Sequence, residues 1–308
     1  MKRTILYLFL LACGSFTLGS CSTDKLDGVS VFDEAPKAKT TFDMWLEQNY
    51  TIPYNIEFTY RWNLMTSDVT HNLIPPTEEN AIALAKLVKF LWIDVYEEVC
   101  GTTFLRNYSP KQFQVIGCAV YDEGTIKLGT AEGGQKITLY VGNWLNRYIY
   151  PAHVNDLGVQ IPDLINVDGL NNYFFKTIHH EFAHILQQTI SPDPKFDLIS
   201  VGTYAPSSWF NRSESEAAQL GFVSPYAGSA AVDDFVEVIA CYLTMSVAQW
   251  NQKLSSAGTS GAAKINQKLT IVKDYLQTKW NLDLDSLRAT LARRYTELPL
   301  ILPNLYQI

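Results

Sequence analysis

The chain of 308 residues lacks an internal repeat, lacks an apolar run of bilayer length and carries only five cysteines. The first absence excludes a solenoid or propeller built from copies of one unit. The second leaves a start, MKRTILYLFLLACGSFTLGSCS, that is apolar from Ile5 to Ala12 and too short to count as a membrane span. Cys13 and Cys21 both lie in that start. Cys100, Cys118 and Cys241 remain, an odd number among apolar neighbours. They read as core thiols and not as a disulfide framework, with at most one pair among them. Positive charge is also short: 24 Lys and Arg against 31 Asp and Glu give −7, and −9 once Lys2 and Arg3 leave with residues 1–20. That balance argues against nucleic acid as a partner. Polar low-complexity sequence is confined to SSAGTSGAA at 255–263, a flexible connection by composition. What the chain does have is apolar bulk. Aromatic residues make up 13%, enough with the other apolar ones to fill a core in one domain or two closely packed lobes.

Lys2 and Arg3 form a positive n-region ahead of the apolar stretch, the pattern of a signal peptide. Leu18-Gly19-Ser20-Cys21 resembles the lipobox of bacterial lipoproteins, in which the cysteine becomes the lipidated first residue. Cys13, after Leu10-Leu11-Ala12, is the alternative, at the expense of a very short apolar region. The expected organisation is a signal peptide at 1–20, a tether at 21–40 behind lipidated Cys21, and a folded domain at 41–308. Several acyl chains on one cysteine anchor a protein stably without any spanning helix. Ser22 in the next position resembles lipoproteins sent to the outer membrane of Gram-negative bacteria, facing either the periplasm or the outside.

The stretch that carries chemistry is Asn171–Thr189, NNYFFKTIHHEFAHILQQT. Phe175, Ile178, Phe182, Ile185 and Leu186 recur at a helical period. Within it His180-Glu181-Phe182-Ala183-His184 is an HExxH pattern. Positions i and i+4 leave a helix from one face a turn apart, so both imidazoles can reach one metal ion. Glu181, beside the first histidine, can face a metal-bound water as general base. Zinc suits this pattern, because a catalytic zinc site uses three protein ligands and an open fourth position. The alternative, two surface histidines on an amphipathic helix, would set both beside an apolar face without partners.

Around that helix the sequence predicts a short helix at Thr41–Gln48, a strand at Tyr54–Trp62, and a helix from the Thr77 cap to about Val99, stopped by Gly101. Gln112–Tyr121 and Thr125–Gly129 read as a hairpin, and Lys136–Val141 as a further strand. Trp144–Asp168 and 190–230 read as irregular, apart from a short helix near Glu214–Gln219. Three helices close the chain: Val232–Gln252, Ala262–Lys279 and Leu284–Tyr295. The fold class is α+β, a strand-bearing half, the histidine helix and a helical half, with the metal in the cleft between halves.

Two histidines leave zinc short of a ligand, and DDFVEVIACYL at 233–243 offers three carboxylates on one helix. Glu237 lies in its interior, with small Ala240 and Cys241 near the same face allowing close approach. HEFAH followed by this segment resembles the gluzincin branch of zinc metallopeptidases. More narrowly it is similar to the zinc-binding metallopeptidase lipoproteins found beside SusD-like nutrient import systems; TIPYNIEFTYRW resembles the opening strand of that group. The resemblance implies a zincin-like fold, with His180, His184 and Glu237 as ligands and Glu181 as general base. Many gluzincins have an Asp four residues after the ligand Glu, where this chain has Cys241. Asp233 or Asp234 could orient a ligand histidine in its place or be the ligand itself, and both also suit a helix's first turn. Tyr226, in the loop before, is a candidate donor to an oxyanion. His179 points about 100° away around the helix and reads as structural. His71 and His153 read as surface or loop residues, and Glu214 and Glu216 as solvated.

The function expected from these residues is a lipid-anchored zinc metallohydrolase that cleaves peptide or protein substrates, with Lys136–Val141 as a rim strand that pairs with extended substrate. The alternative is a non-catalytic, zinc-containing accessory protein that binds glycan or peptide within a SusC/SusD-like uptake complex.

Overall fold

A small, mostly parallel sheet and long buried helices hold the histidine helix on several sides, in a computed structural model that describes residues 38–62, 70–122, 125–132 and 134–308. The expected signal peptide, with Cys13, and most of the expected tether, with Cys21, lie outside the described residues. Residues 40–308 form one compact unit of mixed α and β structure.

The first long helical run starts where its sequence says. The Thr77 hydroxyl accepts the Asn80 N–H at 3.3 Å, and Glu78 and Glu79 occupy a first turn that favours acids. Helix Glu78–Val88 passes through a π turn, Lys89–Ile93, into helix Asp94–Cys100, and Gly101 ends it. Nearly all of Ala81–Val88 is buried, so this run is a core element and not a surface one. Trp92 occupies its middle, edge-on to Phe113 of the sheet at 5.4 Å and to Phe182 of the histidine helix at 5.0 Å. That one side chain ties three layers together.

The sheet is built from β1 (Glu57–Thr59), β2 (Gln112–Val115), β6 (Lys136–Leu139) and β5 (Gly129–Glu132), in the order β1-β2-β6-β5. β1, β2 and β6 run parallel, with Phe58 beside Phe113 and Phe113 beside Ile137; β5 runs antiparallel to β6. β6, expected at the rim, is therefore enclosed, and β5 is the edge strand on that side. β5 lies against the histidine helix because Gly129 has no side chain: a Cβ there would sit 2.3 Å from the Thr177 methyl. The stretch expected as one hairpin divides. β2 joins the sheet, while β3 (Val120–Asp122) pairs with β4 (Thr125–Lys127).

Other expectations shift for local reasons. Tyr54–Trp62 contributes only three strand residues, since Tyr54 closes a helical turn and Asn55 takes a left-handed conformation. Tyr54 is committed to the core by its hydroxyl bond to Glu97 at 2.5 Å. The helix expected at Val232–Gln252 breaks into Ala231–Thr244 and Val247–Ser256, because Ser246 caps the second through Gln249. The supposed flexible connection at 255–263 is helical: helix Gly258–Trp280 starts inside it. Its small residues serve packing, since a Cβ on Gly261 would lie 2.3 Å from the Ala218 carbonyl oxygen. The last helix runs over Leu284–Ile301, longer than expected. Cys100, Cys118 and Cys241 are all free thiols.

Candidate metal centre

The histidine helix, Lys176–Thr189, continues a π turn at Asn171–Phe175. Phe182, Ile178, Ile185 and Leu186 anchor its buried side. That fixes where its other residues point. His180 and His184 stand one turn apart, with ring centroids 4.7 Å apart and their Nε2 atoms facing each other at 3.1 Å. Each ring is held from its far nitrogen. His180 Nδ1 lies 2.9 Å from Glu237 Oε1, and His184 Nδ1 lies 3.4 Å from Gln187 Oε1. A carboxylate can only accept, so His180 donates through Nδ1 and its Nε2 lone pair is left pointing at His184.

Helix Ala231–Thr244 supplies the carboxylates. Asp233 Oδ1 lies 3.5 Å from His184 Nε2, and its Oδ2 accepts the Ser229 hydroxyl at 2.8 Å. Among the described residues, His180, His184 and Asp233 offer one ligand atom each, all within 4.8 Å of one another. Glu237, one turn on, is buried, and its Oε2 accepts from Ser224 Oγ at 2.5 Å and from Lys176 Nζ at 3.2 Å. Burial works to raise its pKa, but the Lys176 charge and the bonds from His180 and Ser224 outweigh that and hold its carboxyl well below the usual range. The structure thus sets Glu237, expected as a ligand, on the outward nitrogen of His180, whereas Asp233 is on the side where the two Nε2 atoms meet. Asp234 points away from the histidines and pairs with Lys268 at 2.5 Å. Cys241 contacts Glu237 Oε2 at 3.8 Å and no histidine.

The donor set fits zinc. Two imidazole lone pairs 3.1 Å apart repel unless a proton or a cation lies between them. Tetrahedral zinc with nitrogen and oxygen ligands keeps its donors about 3.3 Å apart, close to the 3.1 Å from His184 Nε2 to His180 Nε2 and the 3.5 Å from His184 Nε2 to Asp233 Oδ1.

Comparison with known proteins bears on this centre. Residues 35–285 match the family described as "Putative zinc-binding metallo-peptidase". The chain belongs to that family. A crystal structure of a "putative zinc-binding metallo-peptidase" from Bacteroides caccae ATCC 43185 is similar to it, with 46% identity and a TM-score of 0.72. The match covers 91% of this chain and all of that one. No curated protein matches. Zinc is the metal of this family, and the metallo-peptidase reading follows at that level.

The cleft of this metallo-peptidase family member encloses about 620 Å³ beside the histidines. β5 and its approach line it through Leu128, Gly129, Thr130 and Ala131, and so do Trp209, Phe210 and Tyr226. Glu181 faces this space, 9% exposed and bonded to the Ala131 backbone N–H. Burial raises its pKa, against the pull of His180 and His184. The Tyr226 ring lies 5.6 Å from that of His180. Burial, with the charges of Asp233, Glu181 and Glu237 around it, lifts its hydroxyl above the ordinary tyrosine range and keeps it a donor.

The remaining candidates stand apart. His179 is fully buried, bonded through Nδ1 to Tyr96 at 3.2 Å, and burial pushes its pKa down to about 3. His71 meets Thr70, and His153 meets the Pro151 carbonyl. Glu214 pairs with Lys253, and Glu216 caps its own helix through Ser213. Sequence reasoning missed Lys176, Ser224, Gln187, β5 and the Trp209–Phe210 turn. Lys176 had a signal, since it lies four residues before His180 on the same helix face. Trp209 had none, being set in a stretch without periodicity.

Proposed function

We propose that this chain is a lipid-anchored zinc peptidase in which His180, His184 and Asp233 hold the metal and Glu181 is the general base. The observation that carries the reading is Glu181, which faces the cleft beside paired Nε2 atoms and is fixed by a backbone N–H of edge strand β5. An Asp ligand differs from the Glu that the gluzincin resemblance implied. In its support, Asp233 lies beside His184 Nε2, while both oxygens of Glu237 are engaged by His180, Lys176 and Ser224. Glu237 then fixes the tautomer and orientation of His180 from behind.

Zinc supplies Lewis acidity at such a site, polarising a carbonyl and easing proton loss from water. Glu181 takes that proton and passes it to the leaving amine. β5 offers its outer side to an extended substrate, a role first expected of Lys136–Val141. Tyr226 donates to the oxygen that gathers negative charge.

The ligand set is tested by metal content. Wild type should carry about one zinc per chain, and Asp233→Ala should lose most of it. Glu237→Gln keeps a hydrogen-bond acceptor behind His180, so zinc stays, bound roughly 10–100-fold more weakly. Should Glu237→Gln be the one that strips the metal, Glu237 is the ligand and Asp233 is not.

The anchor belongs to the same proposal, supported by Leu18-Gly19-Ser20-Cys21 and by Ser22. It makes the protein an outer-membrane lipoprotein; a place beside an import complex of the SusC/SusD kind rests on the family resemblance alone. Cys21→Ala should move the protein from the membrane fraction to the soluble one. A variant that still carries lipid would transfer the site to Cys13.

A further inference from the structure

Four rings run outward from the metal centre in an unbroken line. His180 lies 5.6 Å from Tyr226, Tyr226 lies 5.0 Å from Trp209, and Trp209 lies 5.8 Å from Phe210. The last two contacts are edge-to-face, at 73° and 81°, an arrangement in which each ring limits the next. The line is also held from outside the cleft. Ala205 N–H bonds the Gly228 carbonyl at 2.8 Å, which joins the Trp209 loop to the turn that carries Tyr226. Arg212, just after Trp209–Asn211, bonds the Thr203 carbonyl at 2.6 Å and lies over the Phe222 ring. Nothing in this bracing explains why the rings face the cleft. Phe210 is 42% exposed and Tyr226 is 37% exposed, a poor use of large apolar area unless something covers it. Ile126, itself well exposed, and Leu128 line the same cleft.

We propose that Tyr226, Trp209 and Phe210 are the specificity-determining wall of the cleft. They take a large apolar side chain, aromatic or long aliphatic, from the substrate residue next to the scissile bond. The inference rests on the peptidase reading for the word scissile, and on continuity with the metal centre for the position: the ladder's innermost ring touches a histidine of that centre. A large apolar side chain in this cleft loses its surface to the ladder and to the Ile126 and Leu128 side chains that line it, whereas alanine has little surface to lose.

The test uses zinc-loaded wild type, Trp209→Ala and Trp209→Phe, with peptide pairs that differ by Phe or Ala at the position a library scan identifies as preferred. Binding of the same pairs is measured calorimetrically in a Glu181→Gln background, where turnover is suppressed. Wild type should favour the Phe peptide, and Trp209→Ala should shrink that preference in kcat/KM by about tenfold or more. Trp209→Phe, which restores a ring, should recover most of it. The binding preference should fall in the same order. Equal losses on both peptides, or an unchanged ratio in Trp209→Ala, would overturn the wall and leave the peptidase reading intact. Wild type that cleaves no peptide removes the peptidase reading instead. The calorimetry then decides the ladder alone: a Trp209-dependent preference for Phe keeps it as a binding subsite, and no preference sinks it.

Discussion

Zinc-loaded Glu181→Gln protein should retain its metal and its fold and lose peptide hydrolysis by roughly 10²–10⁴-fold in kcat. The argument is one of separable roles. His180, His184 and Asp233 offer three ligand atoms within 4.8 Å of one another without help from Glu181. Glu181 faces the cleft, with the Ala131 N–H fixing its direction. Gln has the same size and an acceptor oxygen for that N–H, but it cannot take a proton from water. A neutral amide is also cheaper to bury than a carboxylate at a site 9% exposed, so thermal stability should be equal to wild type or slightly higher. Zinc content, Tm and cleavage of a peptide library by mass spectrometry are read together. Equal cleavage by both proteins would remove Glu181 from the mechanism. Lost cleavage with lost zinc would mean that the residue holds metal.

How much of this was legible beforehand depends on whether the signal was local. The histidine helix was, because a 3.6 period and an i, i+4 pair specify both the element and the shared direction of two side chains. So was the Thr77 start and the Gly101 stop of the long buried helix. Which carboxylate meets the paired Nε2 atoms was not, for a definite reason. Asp233 and Glu237 are also four apart, so both lie on the same stripe of their helix and periodicity cannot separate them. Which one meets Nε2 and which meets Nδ1 is set by how two helices cross. Sheet order is non-local in the same way: Gly129-Thr130-Ala131-Glu132 carries little strand signal of its own, and the pairing of β6 with both β2 and β5 puts β5 at the edge beyond it. At 255–263 composition misled outright. Small residues that read as slack are there so that helix Gly258–Trp280 can approach helix Glu214–Leu220 closely.

Lys268→Met should destabilise the protein by about 3–5 kcal/mol, the cost of leaving a buried charge without its partner. Lys268 and Asp234 are both fully buried, and they meet at 2.5 Å. Lys268 also donates to the Gly221 carbonyl at 2.8 Å and lies 4.3 Å above the Phe222 ring, while Asp234 accepts the Tyr204 hydroxyl at 2.9 Å. Burial pushes the Asp234 pKa from 3.8 up to about 6, with Lys268 pulling the other way. Removing the cation leaves desolvation unopposed. For a chain of this size the loss corresponds to roughly 6–20 °C in Tm. The double variant Lys268→Met, Asp234→Asn removes both charges and keeps an acceptor for Tyr204, so most of the loss should return. The sign with pH follows from the raised carboxyl. Asp234 takes a proton more readily folded than unfolded, so its penalty is absent below pH 3.8 and grows as pH rises through about 6. The gap between single and double variants should therefore be wide at pH 7 and narrow toward pH 4, a trend that a simple packing defect would not give. Zinc affinity should fall with stability in the single variant, because Asp234 pins the first turn of the helix on which Asp233 stands. A single variant within about 1 kcal/mol of wild type at pH 7 would show that the pair contributes nothing net, and that the register of the Asp233 helix is set by its apolar face instead.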